Sequence, residues 1–209
     1  MLLETLQPTL RKILAATPPI TSERQAQLES IAATLRANPG DIDLTFICTH
    51  NSRRSHLAQI WAQTAAAHYG IACVRTHSGG TEATACNPRT VRALRRAGFS
   101  IVDTTGGENP RYLVQYSEEH PPLPIHSKIY DQDGNPTANY IAILTCNHAD
   151  QNCPIVRGAA HRLPLPYIDP KVSDDTPAED TTYDERSLQI ARDMFHLLSL
   201  TRNTSTKTA

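Results

Sequence analysis

The chain has 209 residues and a formal charge of −1; 39% of it is hydrophobic, and it carries five cysteines and fifteen prolines. That length suits one domain of ordinary size with an appendage, and the near-neutral balance excludes binding of nucleic acid or a membrane surface through bulk charge. With no apolar run near the roughly 20 residues of a membrane span, no signal-peptide layout and an odd cysteine count, a cytoplasmic globular protein with chemically active thiols is expected.

Residues 1–40 read as a helical N-terminal extension of two short helices. In the second, Ser22 is a capping residue, and Leu28, Ile31, Ala32 and Leu35 keep helical spacing up to the stop at Asn38-Pro39-Gly40. The pattern then changes to alternating strands and helices. Leu44 to Ile47 is a short apolar run suited to a buried parallel strand, and it leads into Cys48-Thr49-His50-Asn51-Ser52-Arg53-Arg54-Ser55. A helix follows with Leu57, Ile60, Trp61 and Thr64 on one face. Ala72 to Thr76 is a second strand, leading to Ser78-Gly79-Gly80-Thr81. Asn87-Pro88 starts another helix, with Val91, Leu94 and Ala97 spaced along it, and Ile101-Val102 begins a third strand.

The stretch 105–140 reads as an insertion, with a hairpin turn at Asp131-Gln132-Asp133-Gly134-Asn135-Pro136. Tyr140 to Thr145 is the fourth strand, a loop runs from Cys146 to about Thr181, and a last helix carries Leu188, Ala191, Met194, Phe195 and Leu198 on one side. The polar tail 201–209 is expected to be disordered. The alternation predicts an α/β fold over 41–200: a central four-stranded parallel sheet with helices on both faces.

The segment Cys48 to Ser55 carries the chemistry. A strand that ends in a cysteine and opens a helix can wrap successive backbone N–H groups around a tetrahedral oxyanion. The helix N-terminus favours the thiolate, which makes Cys48 a nucleophile aimed at the anion's centre. Arg54, with five residues between it and Cys48, supplies a planar fork that binds two oxygens at once. Thr49, His50, Asn51, Ser52 and Arg53 complete the cradle. Ser55 is a donor to the sulfur and Asn51 a brace for the loop.

This segment resembles the phosphate-binding loop of low-molecular-weight protein tyrosine phosphatases and the related arsenate reductases. Ser78-Gly79-Gly80-Thr81-Glu82, Asn87-Pro88-Arg89 and Asp169-Pro170 agree with it, and Thr145-Cys146 to Cys153-Pro154 is similar to the redox segment of thioredoxin-coupled arsenate reductases. The resemblance implies a Cys48 nucleophile, an Asp169 acid and a disulfide relay through Cys146 and Cys153. It also implies an external thioredoxin-like reductant and no metal or organic cofactor. A tyrosine phosphatase acting through a phospho-Cys48 intermediate is the alternative enzyme, and an anion- or redox-sensing module the non-enzymatic one. Cys146, His148, Cys153 and His161 also offer zinc ligands, in a spacing that fits no common zinc module. Cys73 and Cys86 read as structural. The chain departs from the family where His50 stands for glycine, Arg53 for a second loop cysteine, Lys171 for an aromatic residue after Asp-Pro, and Gln59 for a glutamate that helps bind potassium.

Overall fold

The structure, a computed structural model, describes residues 1–15, 20–38, 40–132, 134–147 and 155–201. Two N-terminal helices, α1 (Gln7–Leu14) and α2 (Ser22–Ala37), precede β1 (Ile42–Cys48), α3 (Arg54–Tyr69), β2 (Val74–Gly80) and α4 (Pro88–Ala97). After these come β3 (Ser100–Asp103), β4 (Tyr112–Gln115), β5 (Leu123–Ile125), β6 (Tyr140–Leu144), β7 (Ala159–Pro164) and α5 (Glu179–Thr201). The expected architecture is present: a four-stranded parallel sheet in the order β2-β1-β6-β7, flanked by helices.

The two central strands are the most apolar. Every residue of β1 except Asp43, and every residue of β6, is buried, as a strand covered on both faces requires. On one face Leu44, Phe46, Ile141 and Ile143 join a cluster that includes Trp61 of α3, Leu94 of α4 and Met194 of α5. On the other, Ile47, Tyr140, Ala142 and Leu144 pack with Val156. Leu6, Leu10 and Ile13 from the N-terminal turns and Leu28, Ile31 and Leu35 from α2 lie in the first cluster, so the N-terminal helices share the main core.

Two strand assignments need correction. Ile101-Val102 does form a strand, but β3 pairs antiparallel with β4, and β4 with β5, in a separate three-stranded sheet. Only Ile101 of β3 is buried, which suits a small half-exposed sheet better than a parallel core. The fourth parallel strand is instead β7, within the stretch expected to be a loop. Its Ala-Ala-His-Arg-Leu-Pro sequence is too polar to read as a buried strand, because it lies at the sheet's edge and none of it is fully buried. The turn at 131–136 also has a different context. Gln132 N–H bonds Ile129 O and Asn135 N–H bonds Gln132 O, both at 3.1 Å. Upstream, however, the described residues form a single parallel bridge, Ile129 to Gly80, and the downstream arm is the central strand β6. The hairpin of the inserted region is β4–β5.

At the opposite edge of the sheet, side chains cap the outward backbone of β2. Thr76 N–H donates to Gln63 Oε1 (3.1 Å), Thr76 O accepts from Gln59 Nε2 (3.2 Å), and Ser78 O accepts from Asn135 Nδ2 (2.8 Å). Gly80 is bridged by the 128–130 segment through bonds of 2.8 and 3.0 Å. Polar caps of this kind deny the edge to another strand. They also explain Gln59, which serves here as an edge cap.

Candidate active site

The loop of residues 49–53 joins the C-terminal end of β1 to the N-terminus of α3. Its carbonyls are tied from outside. Thr81 N–H bonds Cys48 O (3.2 Å), Glu82 N–H bonds Thr49 O (2.9 Å), and Asn87 N–H bonds Ser52 O (2.9 Å). The Ser127 hydroxyl bonds His50 O at 2.8 Å. In a trans peptide the N–H points opposite to the carbonyl, so these ties leave the loop N–H groups turned the other way, where an oxyanion would sit. Asn51 takes the left-handed conformation at φ 45°, which Asn tolerates better than most residues. Its side chain does two things: Oδ1 accepts from Lys128 N–H (3.0 Å), and Nδ2 donates to Ser55 Oγ (2.9 Å). With that lone pair engaged, the Ser55 hydroxyl hydrogen is available to the Cys48 sulfur, 3.1 Å away.

Arg54 spans two groups of one segment. Nη2 donates to Asp169 Oδ2 (2.7 Å) and Nη1 to the Tyr167 carbonyl (3.0 Å). Its Nε is buried with no partner among the described residues. Two of the five guanidinium N–H donors are thus engaged, which leaves donors for an oxyanion beside the Asp169 contact. Asp169 caps the one-turn helix Pro170–Ser173 by accepting from Lys171 N–H, and its side chain stays about a third exposed at 32%.

Arg53 lies beside the same acid, Nε 3.9 Å from Asp169 Oδ1, but its hydrogen bonds go elsewhere. Its Nε donates to Tyr183 Oη (2.7 Å) and its Nη2 to Asp174 Oδ2 (3.1 Å), while Tyr183 Oη donates to Asp174 Oδ1 (2.7 Å). Burial pushes the Tyr183 phenol up to about 12, so it remains a donor. Sequence reasoning missed this triad of loop, Asp174 and α5, because nothing local marks Tyr183 beyond its place on the buried helix face. His50 stands half-exposed at the rim, its Nε2 3.6 Å from Glu82.

The parallel pairing of β1 with β6 places the two strand ends side by side, with Ile47 opposite Leu144 and Thr145 N–H on Ile47 O at 2.8 Å. As a result Cys48 and Cys146, both buried, pack against each other in a small cluster of their own. Thr49 Oγ1 lies 3.6 Å from the Cys146 sulfur. Cys153 and His148 lie outside the described residues. His161 is far from this pair: it aligns with Ile141 at the opposite end of β6 and approaches Asn38 Nδ2 at 3.4 Å. Cys86 is buried and its thiol is pushed up to about 12 by desolvation, which makes it inert. Cys73 is exposed just before β2.

Residues 43–108 match the family described as low molecular weight phosphotyrosine protein phosphatase. An arsenate reductase of Brevibacillus brevis is 31% identical over 125 residues, 60% of this chain and 74% of its own. One from Bacillus licheniformis is 29% identical over 141 residues, 68% of this chain and 83% of its own. The fold is similar to that of a low molecular weight phosphotyrosine phosphatase from Vibrio cholerae, with a TM-score of 0.50 at 14% identity over 76% of this chain and 95% of the other. A low molecular weight protein tyrosine phosphatase from T. tengcongensis gives 0.50 at 14% identity, over 76% and 99%.

Proposed function

The chain belongs to the family of low-molecular-weight phosphotyrosine phosphatases and related arsenate reductases, and on that premise we propose that it reduces arsenate to arsenite. The observation that carries this reading is the contact between Cys48 and Cys146. Transfer of a phosphoryl group needs one thiol; reduction of arsenic by two electrons needs a second within reach of the first.

In the first step the Cys48 thiolate attacks arsenic(V) held by the loop amides and Arg54. Asp169 gives a proton to the departing oxygen, which leaves as water. Cys146, as thiolate, then attacks the Cys48 sulfur. The sulfur–arsenic bond breaks, its electron pair stays on arsenic, and arsenite leaves as the Cys48–Cys146 disulfide forms. Cys153 attacks Cys146 and releases Cys48 as thiolate, leaving a Cys146–Cys153 disulfide for an external thioredoxin-like dithiol to reduce. The electrons come from thiols throughout, so the cycle draws on no metal or organic cofactor. It needs a reducing compartment, which favours the cytoplasm. No helix among the described residues is long and apolar enough to cross a membrane.

Arsenate treatment of a Cys153→Ser variant is expected to trap the Cys48–Cys146 linkage, detectable by mass spectrometry of peptides. Unmodified thiols there would defeat the relay. The second reading, an aryl or tyrosine phosphatase, is favoured by the Cys48, Arg54 and Asp169 arrangement, which suffices for phosphoryl transfer. In that case Cys146→Ser keeps hydrolysing para-nitrophenyl phosphate at the wild-type rate and no arsenite is produced by either protein.

A further inference from the structure

Tyr167 is the junction of the proposed site. Its carbonyl accepts from Arg54, its N–H donates to the Thr145 carbonyl (3.0 Å) next to Cys146, and Asp169 follows two residues later. Its ring is buried and lies beneath the guanidinium of Arg24, 4.4 Å from the ring centroid. Arg24 belongs to the first turn of α2, in the N-terminal extension. It is fixed there by Asp193 of α5 (Nε to Oδ2, 2.8 Å) and by Gln27 Oε1 (3.1 Å), and the Asp193 side chain is only 4% exposed. A planar cation stacked on an aromatic face and held by a buried carboxylate is a stiff contact.

We propose that Arg24 is a positioning residue for the reaction at Cys48. The inference rests on the reading of Arg54 and Asp169 as the anion-binding and proton-donating groups. An oxyanion on the guanidinium fork of Arg54 competes with Asp169 for its charge and weakens the 2.7 Å pair between them. A segment held by that pair alone would shift as it weakened. Arg24 grips the Tyr167 ring from the opposite side, so the carbonyl stays on Arg54 Nη1 and Asp169 moves by side-chain rotation alone. The N-terminal helix thereby becomes part of the active-site scaffold.

The test compares Arg24→Met with Leu28→Ala, a core truncation in the same helix, in the full-length protein. Hydrolysis of phenyl phosphate, whose leaving group must be protonated, is compared with that of 2,4-dinitrophenyl phosphate, whose leaving group departs as the anion. Arg24→Met is expected to lower kcat/KM about tenfold more for the first than for the second, because a misplaced acid harms only the protonated departure from Cys48. Leu28→Ala is expected to lose thermal stability and to lower both rates alike. A wild-type ratio in Arg24→Met, or the same change of ratio in Leu28→Ala, overturns the proposal. Protection of Cys48 from iodoacetamide by inorganic phosphate reads Arg54 without turnover, and Arg24→Met is expected to need about three- to tenfold more phosphate, in line with a displaced charge-assisted contact. If the wild type hydrolyses neither ester, the phosphoryl-transfer reading falls, and the protection assay decides Arg24 by itself: unchanged protection overturns its role.

Discussion

Asn51 shows how much one side chain can hold in place. Its strained backbone is offset by bonds to Lys128 N–H and Ser55 Oγ, and the second of these orients the hydroxyl toward the Cys48 sulfur. Replacing it with alanine keeps the left-handed backbone without either bond, and stability is expected to fall by about 2–4 kcal/mol. Asn51→Gly removes the strain but not the missing bonds, so it should recover only part of that loss in urea titrations. In both variants iodoacetamide should modify Cys48 more slowly. A second residue gives a pH dependence. His56 is fully buried in α3, with Nδ1 3.1 Å from Ser78 Oγ, and burial beside the Lys128 charge drives it down to about 3. An unfolded histidine takes up a proton near pH 6.5, so between 6.5 and about 3 the unfolded chain binds a proton that the folded one refuses. His56 therefore lowers stability on acidification through that window, by up to about 1.4 kcal/mol per pH unit. Urea unfolding at pH 7 and pH 5 should show a shallower fall for His56→Gln than for the wild type; equal slopes would contradict the assignment.

Among the elements, the end of β2 presses directly on the anion loop. A Cβ on Gly80 would stand 2.6 Å from Thr49 O and 2.8 Å from Asn51 N, both backbone atoms that cannot yield cheaply. Gly80→Ala is expected to abolish phosphate protection of Cys48 and to lower stability by about 1–3 kcal/mol, measured by alkylation kinetics and thermal unfolding on the same preparation. Much of this arrangement was legible in the sequence. Residues 44–47 announce a buried strand, Cys48 to Ser55 an anion cradle, and Asn87-Pro88 a helix start whose N–H bonds the loop at Ser52. Other elements were not legible. β7 has no strand signature because an edge strand can remain polar, and β3 has an ordinary strand signature that does not reveal which sheet it joins. Arg53 reads as an anion ligand, and nothing local announces its bonds to Tyr183 of α5 and to Asp174 just after the one-turn helix.

At the scale of the whole molecule, the N-terminal helices and the α/β sheet share one core: Leu6, Leu10, Leu28, Ile31 and Leu35 pack in the same cluster as Leu44, Phe46, Trp61 and Phe195. We expect a chain beginning at residue 41 to lose cooperative unfolding, since its core would open several large apolar sites, each worth about 2–5 kcal/mol when emptied. A cooperative urea transition at the wild-type midpoint would show instead that the extension is dispensable. The sequence by itself determined the local chemistry: a nucleophile, a planar cation six residues on and a helix start lie within one short segment, and their relation survives whatever the rest of the chain does. It also determined that more cysteines were present than phosphoryl transfer needs. Only the tertiary structure decided which of them meet and what steadies the site. Cys48 and Cys146 are separated by almost half the chain and become neighbours because two parallel strands end together. Arg24 reaches Tyr167 because α2 packs on α5. Contacts of that kind depend on strand order and helix packing, which no local spacing encodes.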